Sequence, residues 1–123
     1  MWSVATTSEF DLWFAQLLTD GQAEVIARVN LLKLLGPKLK RPHADTLKGS
    51  KHANMKELRA DTRSHVLRIA FAFDPNRSAI LLVGGNKTGM SQRRFYKELI
   101  ARADALYDAH LAALTIRKKR RGS

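Results

Sequence analysis

Four charged residues are spaced so that one face of a β-sheet could hold them together. Glu57 and Arg59 flank Leu58, and Arg68 lies in a second strand-like segment where small or polar side chains alternate with bulky apolar ones. Side chains along a strand point to opposite faces in turn, so residues two apart share a face. If Leu58 faces the core and the two strands pair as a hairpin, Glu57, Arg59 and Arg68 lie together. Lys87, just past a third strand, could project over its end.

This group suits cleavage of a phosphodiester by an adjacent 2′-hydroxyl. That reaction needs a base for the hydroxyl, cations for the charge that develops on the phosphate oxygens, and a proton for the leaving oxygen. Glu57 or a lysine could be the base, and Arg59 and Arg68 could clamp the phosphate with their guanidinium forks. The alternative is a salt-bridge ladder in which Glu57 pairs with Arg59 or Arg68 across strands. Spacing alone leaves both open.

A second set of residues could bind RNA around this face. Basic side chains lie in the segment before the first of these strands and at the start of the last helix, where an aromatic beside cations could stack on a base. The alternative for that aromatic, Tyr96, is a place in the core, which the neighbouring Phe95 is expected to take. The predicted RNA-binding residues are Lys48, Lys51, Lys56, Arg93, Arg94 and Tyr96.

The four histidines offer one weaker candidate. His52 precedes the first strand of the predicted sheet and could reach the charged face, whereas His43, His65 and His110 fit structural roles. No pair of histidines has the HExxH spacing of a zinc site, and the sequence has no Walker-type glycine loop. We therefore expect neither a metal nor a nucleotide cofactor.

The apolar pattern predicts a helical hairpin in the first third of the chain. The first helix begins near Ser8, with Asp11 completing a capping arrangement, and is interrupted at Asp20-Gly21. The second helix spans about residues 22–35 and ends at Gly36-Pro37. The residues expected to face inward are Phe10, Trp13, Phe14, Leu17, Leu18, Val25, Ile26, Val29, Leu32 and Leu35.

Three strand-like segments predict an antiparallel meander in the middle of the chain. They span residues 54–60, 65–73 and 79–86, with turn-forming residues between them. The last segment is apolar on both faces, so we expect other elements to cover it on both sides. Residues 2–5 could add an edge strand.

The remaining segments are a basic connector and a final helix. In the connector, residues 37–53, Leu39 and Leu47 are expected to anchor inward. The final helix starts near Ser91, and the basic tail, residues 117–123, is expected to be disordered or bound to a partner. The residues on the inner side of this helix should be Phe95, Leu99, Ala103, Leu106, His110 and Leu114.

The composition fits one folded domain with a basic surface. The chain has 123 residues, 45% of them hydrophobic, and a net charge of +11. Residues 1–30 carry a net charge of −3, so later residues build the basic surface, and RNA or the ribosome is the expected partner. The sequence has no cysteine, signal peptide or membrane span, which favours a cytoplasmic protein. We predict a single domain over residues 1–116 and a tail over residues 117–123.

The chain resembles the HigB-like branch of the RelE/ParE toxin superfamily, which includes the phage Gp49-like proteins. The resemblance covers roughly residues 2–114 and is most specific in the Lys-Glu-Leu-Arg strand at 56–59, the Leu-Arg-Ile strand start at 67–69, and the strand that ends in Gly-Gly-Asn-Lys. It implies an α+β fold, with a small antiparallel sheet, an N-terminal helical hairpin and a C-terminal helix. It also implies the toxin of a type II toxin–antitoxin pair that cleaves mRNA at the ribosome without a metal ion.

The same resemblance implies site residues and a partner. The charged and aromatic positions of the family fall on Lys56, Glu57, Arg59, Arg68, Lys87 and Tyr96. The implied partner is a helix-turn-helix antitoxin similar to HigA. Two other functions stay open, a ParE-like gyrase inhibitor and a non-catalytic protein that binds RNA or the ribosome. If the protein only binds RNA or the ribosome, we expect substitutions of many Lys and Arg residues each to weaken binding.

Overall fold

The computed structural model describes residues 1–122, which form one mixed sheet between two helical layers. The elements in chain order are β1 (Ser3–Thr6), α1 (Ser8–Ala15), α2 (Thr19–Leu35), a 3₁₀ turn (Gly36–Lys38), β2 (Ala44–Thr46), β3 (Lys56–Arg59), β4 (Leu67–Phe73), β5 (Ser78–Asn86) and α3 (Gln92–Gly122). The predicted α+β class is confirmed.

The five strands lie in the order β1-β5-β4-β3-β2. Strands β3, β4 and β5 form the predicted antiparallel meander. The expectation of a purely antiparallel sheet is wrong, because the edge strand β1 runs parallel to β5. The connector contains a strand that was not predicted, β2, which pairs with β3. A strand of three residues is too short to show an alternating pattern.

The helical hairpin is present, with the predicted start at Ser8 and the predicted end at Leu35, but the break between its helices lies at residues 16–18 rather than at Asp20-Gly21. The side chain of Thr7, not Ser8, caps α1, since its hydroxyl accepts a hydrogen bond from the Phe10 amide. Asp20-Gly21 lies inside the first turn of α2 rather than between the helices. An aspartate is favourable at that position because the start of a helix carries partial positive charge. Gly36, with a φ of 56°, ends α2 as expected.

The inner face of this hairpin is narrower than the sequence predicts. Phe10, Val25 and Leu32 are buried against the sheet. The predicted inward residues Leu18, Ile26 and Leu35 are instead 66%, 51% and 37% exposed. The small sheet contacts only one stripe of the hairpin, so the apolar residues beside that stripe stay in contact with water.

Two separate apolar cores lie on the two faces of β4 and β5. Leu67, Ile69 and Phe71 pack with α1 and α2 on one face, and Ala70 and Ala72 pack under α3 on the other. As expected, β5 is covered on both faces. The small residues let α3 approach the sheet closely.

Two consecutive glycines near the end of β5 allow close packing on both faces at once. A Cβ at Gly84 would lie 2.3 Å from the Trp13 ring of α1, and one at Gly85 would lie 2.9 Å from the Phe95 ring of α3. Any larger residue at either position would push a helix away from the sheet. Gly85, which pairs with Arg68 near the start of β4, therefore fixes where α3 begins above the sheet.

The final helix is longer than predicted. It continues through residues 117–122, so the described part of the basic tail is helical rather than disordered, and Ser123 lies outside the described residues. Phe95, Leu99 and Ala103 are buried as expected, with Tyr107 in place of Leu106. No helix within residues 1–122 combines the length and hydropathy needed to cross a membrane. In the connector, Leu39 and Leu47 are buried as predicted.

Candidate functional site

A charged cluster lies on the α3 side of the sheet, where β3 and β4 meet. The pairing of β3 with β4 places Arg59 opposite Arg68 and Glu57 opposite Ala70. Strand alternation therefore puts Glu57, Arg59 and Arg68 on one face, as the sequence spacing predicts. Glu57 is 4% exposed and Arg68 is 6% exposed, so the centre of this cluster is buried.

Donors surround the carboxylate of Glu57. The Tyr96 hydroxyl donates a hydrogen bond to Oε1 at 2.7 Å, and Arg68 Nε lies 3.3 Å from the same oxygen. The second oxygen, Oε2, lies 3.4 Å from Arg59 Nη2. A buried carboxylate is tolerated when cations and hydrogen-bond donors replace the lost water, and here three side chains do so.

Arg68 is held in place by a second acid and by backbone. Its Nη1 donates to the carboxylate of Asp61 and, at 2.9 Å, to the carbonyl of Leu67. Burial acts to lower the pKa of Arg68, but the hydrogen bonds with Asp61 and Tyr96 outweigh it and raise that pKa above its ordinary value. Arg68 is therefore charged at every pH of interest. Asp61 lies in the predicted turn between β3 and β4, and its contact with Arg68 was not predicted.

Two guanidinium atoms of the cluster lack hydrogen bonds. Within residues 1–122, the buried Nε atoms of Arg59 and Arg68 have no hydrogen-bond partner. Arg68 Nε is close enough to Glu57 to form an ion pair, yet it is not aligned for a hydrogen bond. Some donor capacity of the cluster is thus unused by the protein.

Tyr96 connects the buried cluster to the surface. Burial raises the pKa of its hydroxyl, the hydrogen bond with Glu57 raises it further, and Arg68 acts in the opposite direction. Tyr96 therefore keeps its proton at neutral pH. The ammonium of Lys87 lies 5.4 Å from the centroid of the Tyr96 ring, which places the last member of the predicted charged group beside the cluster.

The site has a buried layer and an accessible layer. Glu57 and Arg68 form the buried layer, whereas Arg59, Tyr96 and Lys87 are partly exposed. Only the accessible layer can touch a ligand directly in this conformation. The buried pair can act through Tyr96 and Arg59, by fixing their positions and by exchanging a proton with the tyrosine hydroxyl.

A basic groove borders the cluster along α3. Three of the predicted RNA-binding residues line this groove, namely Lys48, Arg93 and Tyr96. Lys97 also lines it and was missed by the sequence analysis, because an exposed lysine on a helix carries no signal of its own. Its spacing of four residues from Arg93, on the same helical face, is the signal that could have found it.

Four predicted residues are not brought to the cluster or the groove. Lys51 and His52 both pair with Asp108 on α3, and the His52 contact measures 2.8 Å. Asp108 is twelve residues from Tyr96, about 18 Å along the helix. Strand alternation puts Lys56 on the face opposite Glu57. The fourth residue, Arg94, is exposed and pairs with Glu98 one turn along the helix.

The other histidines have structural contacts. His110 pairs at 2.8 Å with the buried carboxylate of Asp74, and His65 takes part in the turn before β4 through its amide and Thr62. The carbonyl of His43 accepts a hydrogen bond from the Arg59 amide. Over residues 1–122, no three His, Asp or Glu side chains are grouped to hold a metal ion.

Comparisons with known proteins identify the family. The family described as "Phage derived protein Gp49-like (DUF891)" matches residues 12–108. The chain is 41% identical over 119 residues to "Putative toxin HigB2" of Mycobacterium tuberculosis, covering 95% of this chain and 58% of that protein. It is also 41% identical over 111 residues to "Putative toxin HigB3" of the same organism, covering 90% of this chain and 95% of that protein.

These matches include the strands and the helix that build the charged cluster. Glu57, Arg59, Arg68, Lys87 and Tyr96 all lie within residues 12–108. The chain spans just over half of the first relative and nearly all of the second. The chain therefore belongs to the phage-derived Gp49-like family and is a HigB-like member of it.

Proposed function

We propose that this chain is the toxin of a type II toxin–antitoxin pair and that it cleaves mRNA on the ribosome without a metal cofactor. Its similarity to two proteins named as HigB toxins supports the toxin role. The observation that carries the nuclease role is the Tyr96 hydroxyl, held at 2.7 Å from the buried Glu57 carboxylate between Lys87 and Arg68. This arrangement offers a proton acceptor, a relay and cations at one accessible point.

The proposed reaction assigns one role to each layer of the site. The 2′-oxygen of the substrate attacks phosphorus, its proton passes to Tyr96, and the tyrosine proton passes to Glu57. The bond from phosphorus to the 5′-oxygen breaks, and the ammonium of Lys87 protonates that oxygen. Arg59 stabilises the charge on the phosphate oxygens, and Arg68 holds Glu57 in place. The products are a 2′,3′-cyclic phosphate and a 5′-hydroxyl.

A second candidate function is binding without cleavage. The observation that favours it is the pairing of both arginines with acids of the protein itself, Arg68 with Glu57 and Asp61, and Arg59 with Glu57. An arginine already neutralised in this way has less attraction left for phosphate. In this alternative, the cluster holds α3 on the sheet and the basic surface alone grips RNA.

Mapping of RNA ends in bacteria distinguishes these functions. We expect induction of the wild type to create new 5′ ends in translated messages but not in untranslated ones. Arg68→Ala should abolish the new ends, because Glu57 loses its neighbour, while Arg68→Lys should retain part of the cleavage. Arg28→Ala is the matched control, since Arg28 pairs with Glu24 on the surface of α2.

The other outcomes identify the alternatives. Growth arrest without new 5′ ends would contradict the nuclease proposal. In that case, a loss of plasmid supercoiling would indicate gyrase inhibition, and stalled but intact messages would indicate simple occupation of the ribosome. Cleavage retained in both Arg68→Ala and Arg59→Ala would remove the charged cluster from the mechanism.

The partner we propose is a helix-turn-helix antitoxin that docks on the helical hairpin. That hairpin carries the acidic part of the sequence and exposes Leu12, Leu18, Ile26 and Leu34. Ile26→Glu should weaken neutralisation by the antitoxin without changing toxicity. An unchanged level of neutralisation would place the antitoxin on another surface.

A further inference from the structure

The groove between α3 and the first two residues of the loop 48–52, Lys48 and Gly49, is continuous with the charged cluster. Lys48 lies on its loop side, Arg93 and Lys97 on its helix side, and Tyr96 is shared with the cluster. We propose that this groove binds one nucleotide of single-stranded RNA next to the cleaved bond. The inference rests on the proposed function, because that function supplies RNA as the ligand.

The groove has an excess of positive charge. Lys48, Arg93 and Lys97 line it, and none of the three is paired with an acid in the ion pairs of residues 1–122. The acid that lines it, Asp104, is already engaged, since it accepts hydrogen bonds from the Ser50 hydroxyl and the Lys51 amide. The three cations therefore favour a polyanion in the groove.

The lining between these cations is apolar. It includes the Ile100 and Ala101 side chains and the Tyr96 ring. Gly49, with a φ of 98°, brings the loop close to Ile100, and a Cβ at Gly49 would lie 3.8 Å from Ile100 Cδ1. A nucleobase packs on such a surface whatever its identity, while its phosphates reach the cations at the rim.

The loop side of the groove is fixed before any ligand binds. Asp104 holds Ser50, the Ser50 hydroxyl accepts a hydrogen bond from the His52 amide at 3.0 Å, and Asp108 holds the His52 ring. The ring of His52 also packs edge-on against Tyr107. Lys48 therefore sits at the end of a loop anchored on α3, which lowers the entropic cost of binding.

The position of the groove suits the nucleotide beside the reacting one. Tyr96 and Ile100 are separated by one turn of α3, about 6 Å along the axis. A strand that places its reacting phosphate at Arg59 and Tyr96 would thus carry the neighbouring base over Ile100. The groove would hold this strand in register without reading the base through hydrogen bonds, so its contribution should be similar for all four bases.

Binding of a non-cleavable strand tests the groove separately from the reaction. The probe is a fluorescein-labelled 2′-O-methyl RNA hexamer, which lacks the attacking hydroxyl, and the readout is fluorescence anisotropy at several salt concentrations. We expect Lys97→Ala to weaken binding about five- to tenfold at about 50 mM salt, and to reduce the salt slope by about 0.7. Ala101→Phe should weaken binding by blocking the groove.

Each variant has a matched control on another surface. Lys38→Ala removes an exposed lysine from the 3₁₀ turn, and Ala113→Phe adds a ring to an exposed part of α3 beyond the groove. Neither should change the affinity by more than about twofold, because the long-range effect of one distant charge is screened by salt.

The result that would overturn the inference is specific. Wild-type affinity in both Lys97→Ala and Ala101→Phe, or no binding of the hexamer to the wild type, would exclude the groove as an RNA site. The mapping of 5′ ends judges the proposed function independently. New ends in translated messages would support the nuclease function even if the groove did not bind RNA. A hexamer bound in the groove without any new ends would support RNA binding by the groove and contradict the nuclease function.

Discussion

Two of the polar contacts between helix α3 and the rest of the protein use similar groups in different surroundings. Near its start, the Tyr96 hydroxyl binds the buried Glu57 carboxylate beside Arg68. Three turns later, the exposed Asp108 binds Lys51 and His52 of the loop. A carboxylate accepts the contacts in both places, and the two carboxylates differ most in burial, since the Glu57 side chain is 6% exposed and the Asp108 side chain is 41% exposed.

Burial changes what each contact can do. Water screens the pair at Asp108, so its contribution to the free energy of unfolding is small. The Glu57 cluster has lost its water, so removing one member leaves the others charged and unsolvated. A buried arrangement of this kind fixes side chains at defined positions, which a reaction requires, whereas the exposed contact only keeps a loop in place.

The largest effect should follow from breaking the buried contact at its centre. Glu57→Ala leaves Arg68 buried with one acid fewer, and we expect it to lower the free energy of unfolding by about 3–5 kcal/mol. Urea denaturation measures this. Glu24→Ala, which removes an exposed pair on α2, is the control and should cost no more than about 0.5 kcal/mol. Similar losses in both variants would contradict the difference assigned to burial.

An intermediate effect is expected from Tyr96→Phe. This variant keeps the ring and removes one hydrogen bond to a carboxylate, which should cost about 1.5–3 kcal/mol. Tyr107→Phe is the matched control, because the Tyr107 hydroxyl donates to the neutral carbonyl of Phe73 and accepts from the neutral side-chain amide of Asn54. The Asn54 amide keeps its own hydrogen bond to Phe73, so the loss should cost about 0.5–1.5 kcal/mol. We expect the free energy of unfolding to fall more in Tyr96→Phe than in Tyr107→Phe. A larger fall in Tyr107→Phe would contradict the difference assigned to burial.

The pH dependence of this contact has a defined sign. The pKa of Tyr96 is raised above its ordinary value of 10.0, first by burial and then by Glu57. A group whose pKa is higher in the folded state than in the unfolded state stabilises the folded state. This stabilisation is complete at pH values below the unfolded-state pKa and is lost as the pH rises through the folded-state pKa. The stability difference between the wild type and Tyr96→Phe should therefore be constant near neutral pH and shrink above about pH 10.

The smallest effect is expected at the exposed contact. Asp108→Asn should shift the urea midpoint less than either tyrosine variant does. The pKa of Asp108 is lowered from 3.8 by Lys51 and then by His52, and the pKa of Lys51 is raised from 10.5 by Asp108. The pair therefore stops stabilising the folded state when the pH falls through the lowered pKa of Asp108. It also stops doing so when the pH rises through the raised pKa of Lys51. A large shift near neutral pH would contradict this account.

The sequence predicted the buried cluster better than its surroundings. Alternation along two strands is a strict geometric rule, so Glu57, Arg59 and Arg68 could be placed on one face before the structure was known. The depth of the cluster could not be predicted, because burial depends on how closely α3 approaches the sheet. The contact of Tyr96 with Glu57 is a tertiary one between residues 39 positions apart.

The sequence was less informative about the exposed parts of the molecule. His52 was expected to reach the charged face, and only the path of the loop shows that Asp108 holds it elsewhere. Ile26 fits the helical period of the core, yet the sheet is too narrow to cover it. In the basic tail, a run of cations gave no reason to expect a helix, and the helix continues from α3 through Gly122.

In the proposed mechanism, Tyr96 and Glu57 form a proton relay at an accessible cationic site. Single-turnover cleavage of a message on purified ribosomes, with wild type, Tyr96→Phe and Tyr107→Phe compared at neutral pH, tests it most directly. We expect Tyr96→Phe to slow cleavage by about 10²–10⁴-fold, and Tyr107→Phe to cleave within a few-fold of the wild-type rate. Equal cleavage rates for Tyr96→Phe and the wild type, with urea denaturation showing that both proteins are folded, would contradict the proton relay.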